Sequence, residues 1–182
     1  MVSSEDEDLI LVDPDDNVVG YMAKGACHDG EGVLHRAFSI FIFDDEGRLL
    51  LQQRSAEKRL WGGFWSNTCC SHPRRGEVLE EAIHRRLEQE LGMDAELHYL
   101  FKFTYHAPFG DLGSEREVCS VYVGRSSEPP RPNVHEISDW RWIEPAELDR
   151  EIEEHPERFT PWFKEEWPRV RESFRSVLGF PS

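Results

Sequence analysis

The sequence predicts an α+β sandwich, on three observations. Two pairs of apolar runs are each joined by a short acidic turn, one segment carries an apolar residue every four positions, and proline opens the later helical segments. Residues 9–12 and 18–22 read as a hairpin around Asp13-Pro14-Asp15-Asp16-Asn17. Residues 37–43 and 48–54 read as a second hairpin, with Asp44-Asp45-Glu46-Gly47 supplying its turn. Leu79, Ile83, Leu87 and Leu91 form one helical stripe over residues 78–91, and Gly92 stands at the stopping position. Residues 117–124 and 139–143 are further strands. Pro145 suits the first turn of a short helix. A last helix follows Pro161, and Pro168 is expected to interrupt or kink it.

The chain suits one compact domain over residues 1–182, with no internal repeat and no linker longer than the Pro-rich stretch 126–133. Six tryptophans and a 12% aromatic share exclude a disordered chain. No apolar run approaches the roughly 20 residues that span a bilayer. Residues 1–8 are acidic and lack the order of a signal peptide. Cys27, Cys69, Cys70 and Cys119 form no C-x-x-C pair, which fits a reducing compartment. The net charge of −15 disfavours nucleic acid and anionic membranes. The expectation is a cytoplasmic monomer without either partner.

The chemistry concentrates in a few short segments. In an extended stretch Cys70 and His72 share a face and Cys69 turns away. Such a pair serves as nucleophile, metal ligand or acid–base group, or the thiol is simply packed. Glu115 and Glu117 also share a strand face; close carboxylates need a cation or a proton between them, unless they form an exposed acidic edge. His28 and His35 flank a glycine-rich stretch that reads as loop. If they converge, His28, His35, His72, Glu115 and Glu117 suit a divalent ion of intermediate hardness, Mn²⁺ or Zn²⁺, better than Mg²⁺. Arg86 and Glu90 lie four apart on one helix face, either as a surface ion pair or as the holder of Mg²⁺ and an anion it bridges.

These residues match a known pattern. Residues 71–93 resemble a degenerate Nudix cassette. Glu77, Arg85, Glu90 and Gly92 stand where the cassette expects them, but Ser71 replaces its first Gly, and Arg86 and Gln89 replace two of its glutamates. The loss of two metal-gathering carboxylates argues against hydrolysis. The segments N-x-x-C-x-H-P at 67–73 and E-x-E-V-C at 115–119 resemble the type 1 isopentenyl diphosphate isomerases. So do Leu34-His35-Arg36-Ala37-Phe38-Ser39, Trp61-Gly62-Gly63-Phe64-Trp65 and Phe159-Thr160-Pro161-Trp162.

The resemblance implies a Nudix-like α/β/α sandwich with a mixed sheet and an enzyme that shifts a carbon–carbon double bond. It implies Cys70 and Glu117 as the acid–base pair, with Tyr105 and Trp162 at the hydrocarbon end. It implies His28, His35, His72, Glu115 and Glu117 as ligands of a first divalent ion, Mn²⁺, Zn²⁺ or Mg²⁺. Glu90 and the Cys70 carbonyl would hold a Mg²⁺ that travels with the diphosphate substrate. Lys24, Arg54, Lys58 and Arg86 become the phosphate-binding set. The competing classes are a Nudix hydrolase of nucleoside diphosphate derivatives and a zinc-binding interaction domain.

Only four lysines, Lys24, Lys58, Lys102 and Lys164, accompany the acidic excess. That composition fits a high-salt source and ordinary acidic solubility alike. Salt shortens the Debye length to about 10 Å at 0.1 M and relieves self-repulsion. The melting temperature is therefore expected to be higher in molar salt than in dilute buffer; a flat or falling value in calorimetry would remove the high-salt reading.

Overall fold

The computed structural model describes residues 4–181; Met1–Ser3, the start of the acidic N-terminal stretch, and Ser182 lie outside the described residues. β1 (Asp8–Val12) and β2 (Val18–Ala23) form the first expected hairpin. The Asp13 carboxylate closes its turn by accepting the backbone N–H groups of Asp15 and Asn17, both at 2.9 Å. Asp16, at φ 66°, accepts Arg36 and Lys102, each at 2.8 Å, and ties this turn to the sheet.

β3 (His35–Phe43) is the central strand. It runs parallel to β8 (Ser114–Arg125) over nine positions, from His35 opposite Glu117 to Phe43 opposite Arg125. The other ladders are antiparallel, so the sheet is mixed as expected. β7 (Leu97–Pro108) pairs along β8, and β4 (Leu49–Arg54) pairs along β9 (Ile137–Ile143). β3 meets β4 only at Phe43 opposite Leu49, beyond the turn that Asp44 closes. Past that point the two strands part. The short strands β5 (Trp65–Ser66) and β6 (Cys69–Ser71) enter the gap, β5 against β4 and β6 against β3. Buried Asn67 and Thr68 hold it open: Thr68 Oγ1 donates to the Leu50 carbonyl at 2.6 Å and accepts Ile42 N at 2.9 Å, while Asn67 Nδ2 donates to the carbonyls of Ile40 and Cys69.

Alternation along β3 sorts the core into two layers. Phe38, Ile40 and Ile42 face helix α2 (Leu79–Leu91), whose Ala82, Ile83, Leu87 and Leu91 are buried against them. Ala37, Phe41 and Phe43 face α3 (Pro145–Glu154) and α4 (Pro161–Leu178) through Leu148, Phe163, Trp167 and Phe174. Phe43 and Phe174 stack with centroids 3.9 Å apart. Each such side chain contributes about 1.5–3 kcal/mol by leaving water. α2 stops where expected, at Gly92 in the left-handed region.

Pro168 does not interrupt the last helix, since α4 runs through it from Pro161 to Leu178. The proline is exposed, so the Lys164 carbonyl it cannot bond lies near solvent, while buried Phe163, Trp167 and Val170 hold the helix on both sides of it. Among the described residues no helix is long and apolar enough to cross a membrane.

Candidate active site

The three histidines reach one point from three segments. His28 caps the short helix α1 (Lys24–Cys27), His35 opens β3, and His72 follows β6. Glu115 and Glu117 lie on one face of β8, opposite the start of β3. His28 Nε2 is 3.1 Å from Glu115 Oε2. His35 Nε2 and His72 Nε2 lie 3.3 and 3.2 Å from Glu117 Oε2. His28, His35, His72 and Glu115 present ligand atoms all within 4.8 Å of one another.

This set fits a divalent ion on its hydrogen bonding. His28 Nδ1 lies 2.8 Å from the Lys24 carbonyl, and His35 Nδ1 lies 2.7 Å from the Val33 carbonyl. A carbonyl only accepts, so both Nδ1 atoms carry a proton, and each ring would turn an Nε2 lone pair inward once a metal takes the place of any proton there. His35 Nε2 is buried without a hydrogen bond of good geometry, although carboxylate oxygens stand close. The residues could hold a metal through three nitrogens and two carboxylates.

Charge inside the cluster is strongly coupled. Burial opposes ionisation of Glu115 and Glu117, yet the facing imidazoles hold both carboxyls well below their usual range. Burial also opposes the charged form of His28, but Glu115 outweighs it and raises His28 to about 9. At His72 burial wins, and the ring falls to about 4.

β6 divides the site. Cys69 turns toward α2 and donates its thiol to Glu90 Oε2 at 3.1 Å. Cys70 turns the other way, into an open cleft of about 620 Å³ that His28, His72, Glu115, Glu117 and Trp162 also line. Burial pushes the Cys70 thiol up to about 12, against the opposing pull of Arg54. The Tyr105 hydroxyl donates to Glu117 Oε1, from the position directly opposite it on β7. Trp162, in the first turn of α4, packs 6.1 Å from the Tyr105 ring and edge-on to Trp61 at 5.3 Å.

Lys24, Arg54, Lys58 and Arg86 line the same cleft. Arg54 donates to the Leu60 carbonyl at 2.9 Å, with its guanidinium 5.2 Å from the Trp162 ring centre. Arg86 and Glu90 pair at 3.0 Å and are each only 3% exposed, so the surface ion pair considered for them is not what forms. Glu90, His35 and Tyr105 do not line it, but each contacts a residue that does: Arg86 for Glu90, and Glu117 for His35 and Tyr105.

Two contributors escaped the sequence reading. Arg59 lines the cleft and joins Asp29 at 2.6 Å to the carbonyls of Gly25 and Leu112. Its neighbour Lys58 was the one signal for it. Glu136, buried and paired with Lys58, has no local signal at all.

Gly113 sets the position of His28. A Cβ there would lie 2.3 Å from the His28 carbonyl, and the adjacent Ser114 N donates to that carbonyl at 2.9 Å. Gly113→Ala is expected to push His28 off the cluster and weaken Mn²⁺ binding by about 10–100-fold, the scale of lost ligand support. Titration of the apoprotein checks this, and wild-type affinity would refute the role of Gly113.

Comparison with known proteins agrees with this geometry. Residues 33–163 match the NUDIX domain family. The isopentenyl-diphosphate Delta-isomerase of Serratia proteamaculans is 48% identical, over 87% of this chain and 88% of its own. The isopentenyl-diphosphate Delta-isomerase 2 of Photorhabdus laumondii is 44% identical, over 91% of this chain and 99% of its own. A solved structure from Deinococcus radiodurans superposes with a TM-score of 0.67 at 27% identity, over 82% of this chain and 90% of that one. The chain therefore belongs to the Nudix family and, within it, to the isopentenyl-diphosphate Delta-isomerases.

Proposed function

We infer that the protein is an isopentenyl-diphosphate Delta-isomerase, interconverting isopentenyl diphosphate and dimethylallyl diphosphate. The observation that carries the mechanism is that Cys70 and Glu117, a thiol and a carboxylate from β6 and β8, line one cleft. Burial pushes the Cys70 thiol up, while the His35 and His72 rings, against burial, hold the Glu117 carboxyl down, directions that favour one proton for the pair. A double-bond shift needs that complement, because one carbon gains a proton, another loses one, and nothing else changes.

Protonation of the terminal alkene carbon leaves a tertiary carbocation on the substrate. Loss of a proton from the carbon nearer the diphosphate gives the internal alkene. Cys70 and Glu117 are the donor and acceptor, and each gives in one direction what it takes in the other. The Tyr105 hydroxyl, bonded to Glu117 Oε1, orients that carboxylate. The face of Trp162 stabilises the cation, worth about 2 kcal/mol or more where desolvated. Trp61, Phe64 and Phe109 pack around this end and exclude water that would capture the cation.

Lys24, Arg54, Lys58 and Arg86 bind the diphosphate, and their charge offsets the field of an acidic chain. His28, His35, His72, Glu115 and Glu117 would hold one divalent ion, Mn²⁺, Zn²⁺ or Mg²⁺, and Glu90 with the Cys70 carbonyl would hold Mg²⁺ carried by the substrate. When bound, these ions supply positive charge against the buried carboxylates and the diphosphate. The cleft is complete within one chain, which supports a monomer, and the free thiols of the four cysteines support a cytoplasmic enzyme. Hydrolysis is disfavoured because Arg86, a buried cation paired to Glu90, stands where the cassette would gather metal with a carboxylate.

Incubation with isopentenyl diphosphate and Mg²⁺ should yield dimethylallyl diphosphate without phosphate release; phosphate release without that product would return the chain to the hydrolases. Exhaustive chelation should abolish turnover, with Mg²⁺ alone restoring only part of it. Full activity after chelation would sink the metal assignment.

Cys70→Ala and Glu117→Gln should each lose activity by a factor at or above about 10⁴, the upper end for general acid–base groups. Cys69→Ser, which keeps the hydrogen bond to Glu90, should retain most of it. In deuterated water the wild type should place deuterium in the product methyl groups, and both catalytic variants should not. A folded, metal-loaded Cys70→Ala enzyme with near-normal turnover would refute the pair.

A further inference from the structure

The cations that face the cleft are themselves held in place from behind. Glu136 is 2% exposed and sits on the turn that leads into β9. Its carboxylate forms an ion pair with Lys58 Nζ, and the same oxygen, Oε2, lies 3.6 Å from Arg86 Nη2. The backbone around it is fixed independently of any ligand. Arg131 N and Asn133 N donate to the Leu91 and Glu90 carbonyls at the end of α2, at 2.6 and 2.8 Å. Glu136 N donates to the Asn133 carbonyl, and the Glu136 carbonyl accepts Ser55 N, both at 3.0 Å.

A buried carboxylate is costly unless cations meet it, and Lys58 and Arg86 do so from two different elements. Ammonium and guanidinium groups carry three and five donors, so pairing with Glu136 leaves others directed at the cleft. Two long cations with no anion between them would repel and lose a shared geometry. Glu136 does not line the cleft, and its charge would repel a diphosphate that reached it.

We propose that Glu136 is a positioning residue for the diphosphate end of the site, fixing Lys58 and Arg86 so that their remaining N–H groups form a preorganised oxyanion cradle. This rests on the reading that Lys58 and Arg86 bind the diphosphate.

The sign of one substitution separates positioning from plain electrostatics. If Glu136 acted only as a nearby negative charge, Glu136→Gln would tighten anion binding. Positioning predicts the reverse: KM for isopentenyl diphosphate should rise roughly tenfold while kcat stays within about threefold. The Kd for inorganic pyrophosphate with Mg²⁺, measured by calorimetry, should rise by a similar factor. In a Lys58→Met background, Glu136→Gln should add much less, because the residue acts partly through Lys58. Glu136→Asp keeps the charge, protects against misfolding and draws the oxygens back by one methylene, so it should also weaken pyrophosphate binding. Unchanged or tighter pyrophosphate binding in Glu136→Gln or Glu136→Asp, or full additivity with Lys58→Met, would overturn the proposal. The pyrophosphate titration reads Glu136 whether or not the wild type isomerises isopentenyl diphosphate, so failure of that activity is seen separately.

Discussion

Two ionised carboxylates cannot leave water side by side unless positive charge or a proton is brought to them, and this constraint organises the molecule around Glu115 and Glu117. Both are largely buried on one face of β8, at 8% and 6% exposure. Their compensation comes from three places far apart in sequence: the end of α1, the first residue of β3 and the residue after β6. The parallel register of β3 with β8 sets His35 opposite Glu117, and β6 runs along the other side of β3 to deliver His72. The approach of β8 to the His28 carbonyl leaves no room for a side chain at Gly113. The fold is thus a frame for a few close electrostatic contacts. The residue that completes one of them, Glu117, also carries the hydrogen bond from Tyr105 and faces the cleft with Cys70.

A second constraint runs in the opposite sense. A chain of net charge −15 must attract a diphosphate, so positive charge has to be concentrated locally. The parting of β3 and β4 makes this possible. It lets β6 cross between the layers, with Cys69 on the α2 side and Cys70 on the cleft side, one residue apart. Arg86 reaches the cleft from α2, while Arg54 and Lys58 reach it from the end of β4 and the loop beyond. Carboxylates of Glu90 and Glu136 stand behind these cations, so the positive surface is assembled on buried negative charge.

What the sequence reveals here is what is local. The first hairpin, the stripe of α2 and its stop at Gly92 follow from turn chemistry and period, and the structure has them within a few residues; the strands and turn of the second hairpin also form, but β3 and β4 pair only at Phe43 and Leu49 and then part. The shared face of Cys70 and His72, with Cys69 turned away, follows from strand alternation alone. β7 was missed although Phe101, Phe103, Tyr105 and Ala107 alternate, because the register shift between Tyr99 and Phe101 sets Leu100 beside Phe101 and hides the period. As an interruption Pro168 misled, because its cost depends on whether the orphaned carbonyl meets solvent, which is a tertiary fact. Glu136 was invisible for the same kind of reason, since its partner Lys58 is 78 positions away. The convergence of His28, His35 and His72 was legible through family resemblance and not through spacing, because no helical or strand period relates them.

The same frame explains how a Nudix scaffold turns from hydrolysis to proton transfer. Hydrolysis needs carboxylates on the cassette helix to gather metal and activate water. Here Arg86 and Gln89 stand at two of those places, and Arg86 is locked in a buried pair with Glu90. Water is also the wrong reactant for a carbocation, and the Trp162 end of the cleft is built of rings. Trp61 holds a left-handed backbone at φ 52°, a conformation costly for a bulky residue, with its ring set edge-on against Trp162. Gly62 allows that turn, because a Cβ there would press within 3.1–3.3 Å of the carbonyls of Lys58, Ser55 and Ala56. Strain in this loop therefore does two things at once. It sets Trp61 against Trp162, and it packs the segment carrying Lys58 closely around Gly62, so the aromatic and the cationic parts of the cleft are shaped by one turn.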